Sequence, residues 1–167
     1  KVLNSIDTWN KTIYPKSEGQ NKFIQAINEY DVIFGLGPAG TGKSYLAVAK
    51  AVQFLKKGHI DKIILSRPAV EAGENLGFLP GDMKDKVDPY LRPIYDDLYE
   101  MIHFEIVEKK IQEGIIEIAP VAFMRGRTFK NSFIIIDEAQ NTSSIQMKMI
   151  LTPVSYTHLR AHETRFY

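Results

Sequence analysis

The sequence predicts an α/β fold of three layers, in which a mostly parallel central sheet lies between helices. Three observations predict it. Short apolar runs alternate with amphipathic stretches along the chain, a glycine-rich loop joins one such run to a helix, and another run ends in two adjacent carboxylates, Asp137 and Glu138. Parallel strands need long crossover connections, usually helical, so this alternation places helices on the faces of the sheet.

Each element follows from local pattern. Residues 21–30 (NKFIQAINEY) carry Ile24 and Ile27 on one helical face. Asp31 to Leu36 (DVIFGL) is a short apolar run before glycine, which by length and flanks reads as a buried strand. Lys43 to Lys57 has Leu46, Ala47, Ala51, Val52 and Leu55 at helical spacing, with Gly58 and His59 closing it. Lys62 to Ser66 (KIILS) is the next strand. From Arg67 to Pro93 glycine and proline recur, at Pro68, Gly73, Gly77, Pro80, Gly81, Pro89 and Pro93, which predicts loops and short helical turns. Ile94 to Glu113 is expected as one helix ending at Gly114. Ile115 to Ala119 and Ser132 to Ile136 are expected as strands, and Ser144 to Leu151 as a helix with a serine at its N-cap.

Composition narrows the class. At 167 residues, 44% hydrophobic and 25% charged, the chain is an ordinary globular domain with enough sequence to bury a core. No apolar run reaches the roughly 18 residues that a membrane span needs, and the opening KVLNSIDTWNK has no signal-peptide core, so no membrane partner is expected. Cysteine is absent, which excludes disulfides and thiolate metal sites and fits a reducing, cytoplasmic setting. Val154 to Tyr167 (VSYTHLRAHETRFY) has neither helical nor strand periodicity. It is expected to be a non-native tail, the domain being residues 1–153. The tail carries two of the 21 basic and one of the 20 acidic residues, so the remainder is neutral and global charge gives no sign of a nucleic-acid partner.

Gly37-Pro38-Ala39-Gly40-Thr41-Gly42-Lys43-Ser44 matches the pattern G-x-x-x-x-G-K-[ST] without deviation, after an expected strand and opening an expected helix. Glycines let the backbone take positive φ and approach oxygen atoms closely, so successive N–H groups point into one concavity. The helix that follows adds the positive end of its dipole. Lys43 is placed to reach outer phosphates and the Ser44 hydroxyl to ligate Mg²⁺, with Tyr45 completing the nucleotide-binding stretch.

The apolar strand Phe133 to Ile136 delivers Asp137 and Glu138 at its C-terminal end, the edge where open α/β sheets bind ligands. Asp137 is the expected Mg²⁺ ligand and Glu138 the expected general base that activates water. Adjacent Asp and Glu, with no N-K-x-D guanine signature anywhere in the chain, point to ATP. Two other readings stay open on these residues: a nucleotide-binding regulatory module with little turnover, and a small-molecule kinase.

Four blocks extend the reading. GPAGTGKSYLAVAKAV, SRPAVEAGENLGFLPGDMKDKVDPYLRPIYDDLYEM, IEIAPVAFMRGRTF and FIIIDEAQNTSSIQMKMILT together resemble the PhoH family of ATPases, from about Pro15 to Thr152. The resemblance implies a RecA-like core related to superfamily 1 helicases, ATP hydrolysis, a link to RNA metabolism and ring-shaped homo-oligomers in some members. It maps Gly37 to Ser44 onto the family's nucleotide loop, and Asp137 and Glu138 onto its acidic motif. Gln140 falls in the helicase-like D-E-A-Q sequence. Gln20, seventeen residues before Gly37, takes the position of an adenine-reading glutamine, whose carboxamide both donates and accepts. Arg125 and Arg127 are expected to stabilise transferring phosphate or to contact RNA phosphate. Arg67 is similar to helicase residues that touch a nucleic-acid backbone, with Glu71 and Glu74 as alternative partners. The family continues past Thr152 with a further strand, which in RecA-like sheets lies between the phosphate-loop strand and the Asp137 strand. The domain is therefore expected to be incomplete at its C-terminus, its two central strands lacking their common neighbour.

Overall fold

A computed structural model of the chain describes residues 4–68, 83–118, 121 and 129–151. Its centre is a parallel three-stranded sheet in the order β4–β3–β5, from β3 (Lys62–Ser66), β4 (Ile116–Ile118) and β5 (Ser132–Ile136). Ile63 pairs with Ile116 on one side and with Phe133 on the other, and the β3–β5 register runs from Lys62↔Ser132 to Ser66↔Ile136.

Side chains alternate between two faces, and both faces are covered. Ile63, Leu65, Phe133 and Ile135 pack into one cluster with Ile24 and Ile27 of α1 (Glu18–Glu29), Ala47 and Val52 of α2 (Lys43–Lys56), Leu98 of α3 (Met83–Met101) and Val107 of α4 (Phe104–Gln112). Ile64, Ile134 and Ile136 pack on the other side with Phe129, Ala139 and Ile150, the last on α5 (Ser144–Leu151). Burial on both faces is why KIILS and SFIII read as continuous apolar runs rather than alternating ones. This is the α/β fold with a parallel sheet that the alternation of elements predicts.

The helix ends have local causes. The Ser17 hydroxyl accepts from the Gln20 N–H at 3.2 Å and caps α1. At α5 the Ser143 hydroxyl accepts from Gln146 N–H at 3.2 Å while Gln146 Oε1 accepts from Ser143 N–H at 2.7 Å, a reciprocal capping box. The helix spans the expected Ser144–Leu151, and the serine at its N-cap is Ser143. A hairpin of β1 (Ile6–Asp7) and β2 (Thr12–Ile13), too short for any periodicity to reveal, is tied to the end of α3 by Asn10 N–H donating to Met101 O at 3.0 Å.

Two further elements differ from expectation. The helix expected over Ile94 to Glu113 begins earlier, at Met83, and is interrupted at Ile102 and His103. Buried Leu91, Ile94, Leu98 and Met101 recur at helical spacing and outweigh the breaker signal of Pro89 and Pro93, each of which removes only one N–H donor. Continuing that stripe would carry Glu105 and Glu108 inward, whereas the break lets α4 bury Val107 instead.

The strand expected over Asp31 to Leu36 is the second difference, since it forms no ladder with any described residue. Its side chains still alternate as a strand's do, Ile33 joining the first cluster and Val32 the second. Phe34 and Leu36, on the Val32 side, stay 47% and 62% exposed. Strand backbone needs a hydrogen-bonding neighbour, and among the described residues β5 is paired only with β3. The expected tail from Val154 lies outside the described residues.

Candidate functional site at the C-terminal edge of the sheet

The loop from Gly37 to Gly42 leads into the first turn of α2. Gly40 and Gly42 have φ of +78° and +80°, where a side chain is strained, and a Cβ on Gly42 would meet Gln20 Nε2 at 3.2 Å. No side chain caps α2 at Gly42, where the first N–H groups of the helix lie at the loop. Lys43 Nζ lies along the loop, donating to Gly37 O at 2.9 Å and Pro38 O at 2.8 Å, with Thr41 Oγ1 at 3.3 Å. Thr41 Oγ1 in turn donates to Pro38 O at 2.9 Å.

Gln20 is bound at both ends of its carboxamide. Its Oε1 accepts from Lys16 N–H at 2.6 Å and its Nε2 donates to Thr41 O at 2.9 Å. The residue therefore links the segment before α1 to the glycine-rich loop, with one of its two N–H groups beyond the bond to Thr41. The Tyr45 hydroxyl donates to Glu100 Oε2 at 3.0 Å, a carboxylate shared with Lys11 Nζ at 2.6 Å. Tyr45 thereby ties α2 to α3.

Across from the loop, the β3–β5 register brings the ends of both strands level. Asp137 N–H donates to Ser66 O at 2.9 Å, and Asp137 is 4% exposed. Its Oδ1 accepts from the Ser44 hydroxyl at 2.6 Å and from the Glu138 N–H at 3.1 Å. Its Oδ2 lies 3.0 Å from Arg67 Nη2. The same nitrogen is 3.8 Å from Glu138 Oε1, and Gln140 Nε2 donates to Glu138 Oε2. Glu138 has φ +55°, a left-handed conformation that costs a non-glycine residue about 1–2 kcal/mol and is found most often where function requires it. Arg67, expected near nucleic acid or paired with Glu71 or Glu74, contacts the acidic pair, and Glu71 and Glu74 lie outside the described residues. Arg125 and Arg127 lie outside the described residues.

These groups surround a cavity of about 330 Å³ lined by the loop from Ala39 to Tyr45, Arg67, Asp97, Glu138 and Gln140. Asp97, on α3, is a site residue that the sequence reading missed, because nothing but the packing of α3 brings it there. Burial, then the nearby carboxylates of Glu100, Asp137 and Asp96, push its carboxyl up to about 6, against the pull of Arg67. A larger cavity of about 470 Å³ lies at the other end of α2 and the strands, beside Lys50, Gln53 and Phe133. There Lys50 Nζ donates to Gln53 Oε1 at 2.6 Å and sits 4.8 Å from the Phe54 ring centroid. In parallel α/β sheets ligands bind at the C-terminal edge, which favours the smaller cavity.

The donor set suits a hard divalent cation. Ser44 Oγ and Asp137 Oδ1 are close enough to share one ion. Among the described residues no group of three or more His, Cys, Asp or Glu side chains could hold a metal alone. One hydroxyl and one carboxylate fit Mg²⁺, which keeps several waters and takes remaining ligands from substrate phosphates.

Comparison with known proteins adds to this geometry. The family described as PhoH-like protein matches residues 12–157. The chain is 59% identical over 146 residues to the PhoH-like protein of Bacillus subtilis (strain 168), covering 87% of this chain and 46% of that protein. It is 53% identical over 155 residues to the PhoH-like protein of Mycobacterium tuberculosis (strain ATCC 25618 / H37Rv), covering 93% and 44%. Against Protein PhoH of Escherichia coli (strain K12) it is 44% identical over 142 residues, covering 84% and 40%. The chain thus spans less than half the length of the relatives it matches. Among solved structures it is similar to the SWI2/SNF2 ATPase core of Sulfolobus solfataricus in complex with dsDNA, with a TM-score of 0.56 at 13% identity, over 97% of this chain and 34% of that one. That likeness is one of fold alone, RecA-like.

Proposed function

The chain belongs to the PhoH-like family, and from that premise we propose that it binds ATP with Mg²⁺ in the cavity between Gly37–Ser44 and Asp137–Glu138 and hydrolyses it. The observation that carries the proposal is the direct hydrogen bond from Ser44 to Asp137, which joins the glycine loop to the acidic strand end. A phosphate chain in the loop would satisfy the uncapped N–H groups of α2, and the helix dipole favours its charge.

Each residue then has a role set by its chemistry. Lys43, already directed along the loop, exchanges backbone carbonyls for phosphate oxygens. Ser44 and Asp137 would hold Mg²⁺, which supplies charge neutralisation at the outer phosphates. Glu138 accepts a proton from the attacking water, and its carboxylate is oriented by Gln140 and Arg67. Gln20 offers its remaining N–H to the adenine edge while bracing Thr41. Arg125 and Arg127 stabilise transferring phosphate or meet RNA phosphate, on the family resemblance alone.

RNA is proposed as the partner whose binding stimulates turnover, also on the family resemblance, as is assembly into a homo-oligomeric ring, and a cytoplasmic setting is proposed from the absence of cysteine. Among the described residues no helix is long and apolar enough to cross a membrane. Replacing Lys43 by alanine tests the ATP site, because it removes the one side-chain cation of the loop. Calorimetry is expected to show loss of tight Mg-ATP binding with the circular dichroism of the fold retained. Unchanged ATP affinity would move the site elsewhere. Phosphate release that does not respond to added RNA would remove RNA from the proposal.

A further inference from the structure

We infer that Arg67 is a positioning residue for hydrolysis and an internal counter-ion that holds down the divalent-metal affinity of the acidic pair. The inference rests on the ATP-site reading above and deepens it.

Asp97 and Glu138 line one cavity, buried Asp137 lies beside them, and two cations, Lys43 and Arg67, line the same cavity. Lys43 is engaged with loop carbonyls, whereas Arg67 Nη2 lies 3.0 Å from Asp137 Oδ2 and 3.8 Å from Glu138 Oε1. Its position is fixed by the sheet: Ser66 pairs with Ile136, so the next residue on each strand, Arg67 and Asp137, emerge side by side. The two oxygens of Asp137 are thereby assigned different partners. Oδ1 takes the Ser44 hydroxyl and Oδ2 takes the guanidinium.

Two opposite consequences follow for this chain's residues. A cation engaging Asp137 on the Ser44 side meets a fixed positive charge on the other oxygen, in a partly buried setting where like charges still repel appreciably. Arg67 therefore weakens metal binding. Arg67 also tethers Glu138, whose side chain extends from a left-handed backbone and is held at its other oxygen by Gln140. Arg67 therefore helps turnover. A residue with a purely structural role would not shift these two quantities in opposite directions.

The test titrates Mn²⁺, followed by its electron paramagnetic resonance signal, into the chain with a non-hydrolysable ATP analogue, alongside phosphate release with Mg-ATP. In Arg67→Gln, Mn²⁺ is expected to bind about tenfold tighter, and kcat to fall about 10- to 100-fold with little change in KM. Arg67→Lys keeps the charge without the two-carboxylate reach. It should hold Mn²⁺ affinity near wild type with kcat still reduced, and it keeps the idea testable if the glutamine variant does not fold. Mn²⁺ affinity unchanged or weaker in a folded Arg67→Gln, or kcat unchanged in both variants, overturns the inference. So does a loss confined to RNA affinity. A wild-type chain that fails to bind the analogue with Mn²⁺ would instead overturn the ATP-site reading beneath it.

Discussion

The Ser44 hydroxyl donates to Asp137 Oδ1 at 2.6 Å, joining positions ninety-three residues apart in the chain. Ser44 lies in the first turn of α2 and Asp137 directly follows β5, so the bond records how the helix after the glycine loop is set against the sheet. The pair is the point at which a metal ion and a nucleotide would be read together. Replacing Asp137 by asparagine keeps the shape of the side chain and its ability to accept from Ser44, but removes the charge. Mg²⁺ dependence and ATP affinity are expected to weaken together. If the affinities for free ATP and Mg-ATP keep their wild-type ratio in Asp137→Asn, Asp137 does not meet the metal.

Asp97 gives the site a pH dependence of definite sign. Its carboxyl is raised from 3.8 to about 6 in the folded chain, so the fold binds that proton more tightly than the unfolded chain does. The corresponding stability is present below about 3.8 and is lost as pH rises to about 6. In Asp97→Asn that loss disappears. The variant should therefore melt above wild type at pH 7, with a flatter profile between pH 4 and pH 6. It should also bind ATP more tightly, having one less carboxylate facing the triphosphate. Melting curves that superimpose across the range would show that Asp97 is not buried against Asp137 as described.

Backbone hydrogen exchange separates the strands by their neighbours. Amides in Lys62–Ser66, paired on both sides, should exchange slowly, those of Ser132–Ile136 at an intermediate rate, and those of 32–36 rapidly, since no ladder among the described residues holds them. A chain extended at its C-terminus with the corresponding region of the longer relatives should slow exchange at 32–36 and raise the melting temperature. It should also cover Phe34, Leu36 and Ile145, now 47%, 62% and 72% exposed. Slow exchange at 32–36 in the 167-residue chain would mean that the segment already has a strand partner.

How much of this was legible in the sequence depends on how local each feature is. The geometry of the glycine-rich loop reads directly, because closely spaced glycines at a helix start express a local requirement on φ, and Gly40 and Gly42 meet it. Asp137 and Glu138 read from the apolar run before them. The early start of α3 at Met83 was hidden because Pro89 and Pro93 look like breakers one position at a time, while four buried apolar residues act as a set. Asp31 to Leu36 has the residues of a strand, yet a strand is defined by a neighbour that no local pattern supplies. Arg67 and Asp97 reach the site through register and helix packing, which spacing along the chain does not encode. The left-handed backbone of Glu138 likewise left no trace in composition.

The central claim is that Glu138 activates water at a Mg-ATP site built by Ser44 and Asp137, and one paired measurement tests it most directly. ATP binding and Mg²⁺-dependent phosphate release are measured on wild type and Glu138→Gln in the same preparation. The account predicts equal ATP affinity and turnover lower by about 10²–10⁴-fold in the variant, the loss typical of a missing general base. Equal turnover by the two proteins, with ATP bound by both, would contradict it.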